Sequence, residues 1–447
     1  MATVSYARWM LEQEARALMT RLERVKPFAL HETMLPAAAI LPSAQTGIER
    51  YLMKGRQELR GLIQQYIRWL HGSSGQRATP AQAQRQFSML RLRFNAVLTQ
   101  FDLFNDVLTQ RSENEIGVWL SGLDVVSSDA LELRGDYYYA PPVICYLDRG
   151  VGAAIRRART RLPGGGENPV AIIRVPRERM VGSGIASSLV HEVGHQAAAL
   201  LDLVNSMKPI LQGFQLGNNP YSDSWSLWER WISEILADFW SVAKIGIAST
   251  LGLMGVVSLP RAFVFRLNRD DPHPPPWLRV TLSCAMGQAL YPHPQWQRLA
   301  GLWESYYPLI GLDIDRQDSF AKLQATLPSF VALLVNHRPK SLRGRTLAEV
   351  LEVQNRQPRQ LQTLLQAWRQ QPEKMYRAPP TLAFAVIGQA RSDGRMSPEQ
   401  ESTILGKLLT HWALSSTLEV SAICSTRLNQ VSRPVVSEYT QQHLTIH

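Results

Sequence analysis

The first third of the chain carries apolar residues at the spacing of a helix. Leu, Ile, Phe and Met recur every three or four positions over residues 4–24, 46–71 and 79–110, with Arg, Gln and Glu between them. An amphipathic helix places such residues on one face, which it buries against its neighbours. The polar stretch SSGQRATP at 73–80 separates the second segment from the third. The pattern predicts a helical N-terminal region over residues 1–135.

Two short apolar runs interrupt this pattern in the middle of the chain. PPVICYLD at 141–148 and NPVAIIRVP at 168–176 are rich in Val and Ile and are bounded by Pro, Gly or Asn, which is typical of strands. Between them, the arginine-rich segment AAIRRARTRLPGGG at 153–166 predicts a short helix that ends in a flexible loop. Beyond residue 177 helical spacing returns almost to the end of the chain.

These patterns predict an α+β fold that is predominantly helical. We expect a central domain with a small sheet over residues 136–300 and a helical C-terminal region over residues 301–447. The segment IGIASTLGLMGVVSL at 245–259 is apolar throughout, but it is shorter than the roughly 20 residues that cross a bilayer. A buried helix behind an active site is the preferred interpretation, with a membrane-associated hairpin as the alternative. We expect no integral membrane insertion.

The chain is basic, with 48 Lys and Arg against 37 Asp and Glu, a net charge of +11 and a pI near 9.7. Such a balance raises the possibility of nucleic-acid binding. The arginines are scattered in short groups, however, and no recognised nucleic-acid module surrounds them. We therefore interpret the charge as a solvated surface with weak attraction to acidic partners, and expect no specific nucleic-acid partner.

The cysteines Cys145, Cys284 and Cys424 are widely spaced and odd in number, which argues against a disulfide framework and a cysteine metal site. A reducing compartment fits this usage best. The first residues carry charges every few positions and show no secretory signal. These features predict a cytoplasmic protein, with export by another route left open.

The segment SLVHEVGHQAAALLDLV at 188–204 carries the candidate chemistry. His191 and His195 are four residues apart in a helical pattern, so both rings project from one face. Two neutral imidazoles at this spacing can bind one zinc ion, and Glu192 lies beside the first ligand, where it can take a proton from water. Gly194 keeps the groove side of the helix slim. The motif alone arises by chance often enough that its context must decide.

A catalytic zinc site needs a third protein ligand and an open fourth position. The segment WERWISEILADFWS supplies the candidate Glu234, with Asp238 one helical turn later. Asp238 could then accept the remaining N–H of a ligand histidine and fix its tautomer. A solvated helix face is the alternative interpretation of such a pair. This helix is unusually apolar, and carboxylates in such surroundings need a partner.

At these residues the chain resembles the gluzincin metallopeptidases, and more closely the family of CAAX prenyl proteases and HtpX-type heat-shock proteases. Members carry HExxH, then ExxAD, then HPxxxxR. This sequence has HEVGH at 191–195, EILAD at 234–238 and HPPPWLR at 273–279, in the same order. The resemblance covers about residues 165–285. The well-known members have clear transmembrane helices, and none is evident here, so a membrane-embedded substrate is not implied.

The resemblance implies a zincin-like catalytic domain and a role for each motif. Residues 169–175 would form the edge strand along which an extended peptide substrate pairs. His273 would stabilise the oxyanion as a catalytic residue, and Arg279 would brace a carboxylate of the site. For these last two residues a rigid proline loop and a helix-surface arginine remain open as alternatives.

A weaker resemblance lies at residues 380–424, whose DG-centred pattern is similar to the helix-loop-helix of TerB-like tellurite-resistance domains or a degenerate EF-hand. Alignment on Gly394 puts Gln389, Arg391 and Gln400 at positions where calcium requires carboxylates, which argues against calcium. Asp393 and Ser397 are expected to form the turn and the N-cap of the next helix, with Pro398 at its first position.

The sequence therefore predicts a zinc metallopeptidase in which His191, His195 and Glu234 hold the metal and Glu192 is the general base. Asp238 and Arg279 would support the ligands, and the substrate would be a protein or peptide. A zinc hydrolase acting on another amide or ester is one alternative. A non-catalytic scaffold that retains zinc structurally is the other, although such a site has no need for Glu192.

Overall fold

The fold is α+β and predominantly helical, as the sequence predicts. The structure is a computed structural model, and it describes residues 2–25, 33–150, 152–162, 166–177 and 182–431. Within these ranges, no helix is both long and apolar enough to cross a membrane.

The described N-terminal part contains five α-helices, and the three predicted helical segments are confirmed as the first, second and fourth of them. They are α1 (Ala2–Arg24), α2 (Pro42–His71), α3 (Ser73–Arg77), α4 (Pro80–Thr109) and α5 (Asn114–Leu131). The polar stretch before α4 starts that helix, because Thr79 and Gln82 form a capping box and Pro80 occupies the first turn. Helices α1, α2 and α4 pack around one apolar core, which we call the N-terminal bundle.

Three strands form one mixed sheet in the order β1, β3, β2. They are β1 (Val143–Asp148), β2 (Ala154–Arg156) and β3 (Ala171–Pro176). The two predicted strands are thus confirmed as β1 and β3, which pair in parallel, and β2 pairs antiparallel to β3. Both faces of β3 are buried apart from the partly exposed Arg174, which explains why its other residues are apolar.

Two predictions about this region were wrong. The segment 153–166 contains strand β2 instead of a helix, although residues 163–165 lie outside the described part. A three-residue strand is too short to show a sequence period, and tertiary contacts hold it: the Asn168 amide donates to the carbonyls of Arg156 and Arg157 at 3.3 and 3.1 Å. Residues 169–175 also do not form an edge strand, because β1 and β2 flank β3 on both sides.

Side chains close the outer edge of β1. The Gln110 amide bonds both to the backbone N–H of Leu147 at 2.8 Å and to its carbonyl at 2.9 Å. Two residues earlier, Asp124 accepts from the N–H of Cys145 and Arg111 donates to its carbonyl. These bonds replace those of a neighbouring strand. The other edge of the sheet is β2, beyond which no further strand pairs within the described ranges.

The rest of the described chain is helical. The helices are α6 (Ser183–Leu200), α7 (Leu203–Gly213), α8 (Ser222–Ile245), α9 (Ile247–Val257), α10 (Arg261–Val264), α11 (Pro276–Leu290), α12 (Gln295–Tyr306), α13 (Ile314–Asn336), α14 (Leu347–Val350), α15 (Pro358–Gln370), α16 (Glu373–Tyr376), α17 (Pro380–Ser392) and α18 (Pro398–Val431). The apolar segment at 245–259 is a buried helix, as predicted. It is α9, and its Gly252 lies directly against Ser187 of α6.

The sheet separates the N-terminal bundle from a second, larger apolar core. Ile144 and Ile172 point into the bundle core, whereas Cys145 and Ile173, the next residue on each strand, point into the larger core. This alternation follows from the two-residue period of a strand. Helices α5, α6, α8, α9, α11 and α17 share the larger core, so the candidate site lies in a continuous packed unit.

Candidate metal centre

Helix α6 presents the two histidines of the HEVGH motif on one face, one turn apart. The ring centroids of His191 and His195 are 4.8 Å apart, and the rings are nearly perpendicular. Both side chains are partly accessible, with 12% and 15% of their surface exposed. The spacing of four residues thus produces the pair that the sequence predicts.

Helix α8 approaches α6 closely at Gly194. A Cβ atom at this position would lie 2.8 Å from the Cα of Ala237 and 3.0 Å from the Cβ of Trp240. Such distances are far below ordinary van der Waals contact, so only glycine allows this approach. The glycine of the first motif therefore packs against the alanine of the second. This contact brings Glu234 of α8 within reach of the histidines of α6.

Glu234 lies between the two rings. Its Oε2 is 3.2 Å from Nε2 of His191, and its Oε1 is 3.3 Å from Nε2 of His195. The ligand atoms of these three residues all lie within 4.8 Å of one another, and the group could hold a metal ion. A residue 39 positions away in the sequence thus reaches the same point as the helical pair.

The other ring nitrogen of His191 identifies its tautomer. Its Nδ1 is 2.7 Å from Oδ1 of Asp238. An ionised carboxylate only accepts hydrogen bonds, so Nδ1 carries a proton. In a neutral ring the lone pair of Nε2 then faces Glu234 Oε2, a buried oxygen 3.2 Å away. Two electron pairs that face each other in a buried site repel, so either a proton or a metal ion must lie between these two atoms.

The titration behaviour of the site reflects this excess of negative charge. Burial alone lowers the pKa of His191, but the nearby Asp238 and Glu234 carboxylates raise it to about 9. Burial raises the pKa of Glu234, yet the two histidines hold it well below its usual range. In the metal-free protein a proton on His191 therefore balances the carboxylates, and a metal ion would replace it.

Arg279, on α11, bonds to the outer side of the same group. Its Nε and Nη2 donate to the two carboxylate oxygens of Asp238 at 2.6 and 2.8 Å, a bidentate arrangement. Burial would raise the pKa of Asp238, but the charges of Arg279 and His191 hold it well below its usual range. The structure thus brings Arg279, Asp238 and His191 into one chain of contacts. The arginine does not lie on the helix surface, because only 14% of its side chain is exposed.

His273 lies at the open side of the site. Its Nε2 is 3.5 Å from Glu234 Oε2, and about half of its side chain is exposed. Its Nδ1 is 2.9 Å from Oδ1 of Asp271, which also accepts from the His273 backbone N–H at 3.0 Å. Sequence reasoning missed Asp271. Its signal was available, since an Asp two residues before a polar residue commonly accepts from the backbone at that position.

Glu192 is buried, with 9% of the residue exposed, and follows His191 on α6. Burial lowers the pKa of the Arg279 guanidinium, but the carboxylate of Asp238 and, to a smaller extent, those of Glu234 and Glu192 raise it. Glu192 does not belong to the group of three possible ligands. The structure therefore places a carboxylate beside the ligand group and outside it.

Comparison with known proteins found no match for this chain among protein-family models, curated proteins or solved structures.

Proposed function

We propose that this chain is a zinc-dependent metallopeptidase of the gluzincin type. The observation that carries the proposal is the convergence of Nε2 of His191, Nε2 of His195 and the Glu234 carboxylate on one point. His191, His195 and Glu234 would hold the ion, and two imidazoles with one carboxylate are a donor set that catalytic zinc uses. When bound, zinc lowers the pKa of a water molecule towards neutrality and polarises the scissile carbonyl.

Glu192 is the proposed general base. Its carboxylate takes a proton from the attacking water and then delivers that proton to the leaving amine. Asp238 keeps the proton of His191 on Nδ1, so that Nε2 points into the site as a ligand.

His273 is the proposed stabiliser of the carbonyl oxygen during attack. Asp271 holds Nδ1, which turns Nε2 towards Glu234 and the centre of the site. A protonated ring in this position can donate a hydrogen bond from Nε2 to the developing negative charge. Asp271 is then a positioning residue that acts through His273.

The free edge of β2 supports a peptide as substrate. Gln196, next to the ligand His195, accepts from the backbone N–H of Ala158 at 2.8 Å, which ties the segment after β2 to the metal-binding helix. An extended peptide that pairs with this edge would bind through main-chain hydrogen bonds and would be selected only loosely by sequence. Strand β2 would thus pair with the substrate, the role that the family resemblance implies for residues 169–175.

A cytoplasmic location remains part of the proposal. Cys145 and Cys284 are buried free thiols, which fits a reducing compartment.

The proposal is tested by metal analysis and by the substitution Glu192→Gln. Purified protein should contain about one zinc per chain and should hydrolyse an unfolded protein such as reduced casein. Glu192→Gln keeps the size of the side chain but cannot accept the proton, so hydrolysis should fall by about 100- to 10,000-fold while zinc stays bound. Activity retained by this variant would show that Glu192 is not the general base. Zinc without hydrolysis in the wild type would favour a structural metal site, and cleavage confined to small esters or amides would favour another hydrolase.

A further inference from the structure

A cavity of about 500 Å³ lies far along the chain from the metal ligands, between helices α15 and α16 and the helix-loop-helix of α17 and α18. We call it the C-terminal groove. Its lining consists of Leu365, Trp368, Arg369, Pro372, Met375, Ile387, Arg395, Met396, Glu399, Gln400, Thr403 and Ile404. None of these residues belongs to the metal centre. Volumes of this size are typical of sites for small molecules.

The floor of the groove is apolar. Leu365, Trp368 and Ile387 are buried beneath it, and Met375 and Met396 are half-buried at its sides. Methionine side chains adapt to irregular apolar ligands because they are unbranched and polarisable. The floor thus offers a surface for a flexible hydrocarbon chain.

The polar residues of the groove all lie at its rim, where they are exposed. Two of them, Arg369 and Arg395, are positive, and one, Glu399, is negative. Ser397 donates to the Glu399 carboxylate at 2.6 Å. Neither rim arginine pairs with a carboxylate in the part of the chain that the structure describes, and the Arg369 guanidinium donates to the Arg395 carbonyl at 2.9 Å. The rim therefore has a net positive charge available for an anion.

The helix-loop-helix that forms one wall is held in place. The Asp393 carboxylate accepts from Gln362 of α15 at 2.9 Å and from Gln389 of α17 at 3.0 Å. Ser397 and Gln400 form the N-cap of α18, with Pro398 as its first residue, as the sequence predicts. The groove is thus preformed, which reduces the entropy lost on binding.

We propose that the C-terminal groove binds a fatty acid, with its alkyl chain on the apolar floor and its carboxylate at Arg369 and Arg395. A peptide entering the floor would bury N–H and C=O groups against carbon, which is costly. An alkyl chain carries no such groups, and its carboxylate stays at the rim, where charge-assisted hydrogen bonds are available. This binding site is independent of the proposed peptidase activity.

The test is calorimetric titration of the full chain with dodecanoate below its micelle concentration. We expect one site with a dissociation constant of roughly 1 to 100 µM. Dodecyltrimethylammonium has the same chain and the opposite charge, and it should bind at least about tenfold more weakly. Absence of dodecanoate binding, or equal binding of the two amphiphiles, would overturn the proposal.

Two variants locate the site. The double substitution Arg369→Gln and Arg395→Gln should weaken dodecanoate binding at least about tenfold. Arg359→Gln, at an exposed position of α15 outside the groove, is the matched control and should bind as the wild type does. Thr403→Trp fills the groove from an exposed position and should abolish binding. Unchanged affinity in either groove variant, with circular dichroism like that of the wild type, would place the ligand elsewhere.

Discussion

The N-terminal bundle and the core around the metal centre are both built of packed helices, but they place their charges differently. The first 109 residues, which contain the bundle, hold 14 Lys and Arg against 8 Asp and Glu. In the described part of residues 2–109, Glu49 is nevertheless the one charged side chain that is buried. The larger core buries Glu192, Glu234 and Asp238 among tryptophans. Most charged side chains of the bundle thus remain solvated, whereas three carboxylates of the site region are desolvated.

This difference indicates where function lies. A buried carboxylate lowers stability unless a positive or hydrogen-bonding partner offsets its desolvation. Asp238 has such partners in His191 and Arg279, whereas Glu234 depends on the rings of His191 and His195, at 3.2 and 3.3 Å. The charge of Glu234 is thus offset only by groups that a metal ion would also bind, so a metal ion would compete with the proton for this site.

The largest expected effect is the loss of metal on removal of Glu234. Glu234→Ala should weaken zinc binding by more than about 100-fold, since even partners of ligands contribute 10- to 100-fold. The same change at Glu49, the buried carboxylate of the bundle, should leave zinc affinity unchanged. Competition with a chelator at fixed pH measures both variants. Equal zinc affinity in wild type and Glu234→Ala would remove this residue from the ligand set.

Zinc affinity should depend steeply on pH. His191 has its pKa raised from 6.5 to about 9 in the metal-free protein, so zinc must displace a proton below that pH. Affinity should therefore rise about tenfold for each pH unit between pH 7 and 9, with release of a proton. The same proton stabilises the metal-free fold. That contribution is fully present below pH 6.5 and is lost as the pH rises through about 9.

Calorimetry in buffers of different ionisation enthalpy counts the released protons. A zinc affinity that stays constant over this pH range would contradict the charge balance described for the site. The His191→Ala variant, in which the titrating ring is absent, is expected to lose the melting-temperature change of the metal-free protein between pH 6.5 and 9.

The two aspartates of the site should separate metal binding from catalysis. Asp238→Asn removes the acceptor that orients His191 and should weaken zinc binding by about 10- to 100-fold. Asp271→Asn acts on His273 only, so it should retain zinc while kcat falls by about tenfold. Zinc content and casein hydrolysis of both variants provide the comparison. Loss of zinc in Asp271→Asn would show that His273 is part of the metal site.

The smallest effects come from paired glycine substitutions. Gly194→Ala pushes α6 from α8 and should lower the free energy of unfolding by roughly 1 to 3 kcal/mol, with weaker zinc binding. Gly61 lies on an exposed face of α2 in the bundle, and no atom lies within 4 Å of a Cβ placed there. Gly61→Ala should therefore raise the free energy of unfolding by about 0.5 to 1 kcal/mol. Thermal unfolding measures both. Stabilisation by Gly194→Ala would show that close helix contact is not required.

Local patterns were enough to predict much of this protein. Helical periodicity over 4–24, 46–71 and 79–110 gave helices α1, α2 and α4, because a buried face repeats with the period of the helix. The spacing within HEVGH placed both rings on one face for the same reason. Short apolar runs predicted β1 and β3, since strands buried on both faces need no polar alternation.

Only the tertiary structure decided which strands lie at the edges of the sheet and how helices α6 and α8 meet. It also decided which side chains bond to the residues of the candidate site. The three residues of β2 carry no period, and their pairing depends on contacts with β3 and Asn168. Gly194 matters because of what lies opposite it on α8, and a sequence does not record distances between segments. The same holds for Asp271, whose bond to His273 exists only in the folded loop. Local sequence sets local conformation, whereas long-range pairing depends on the summed packing of the whole chain.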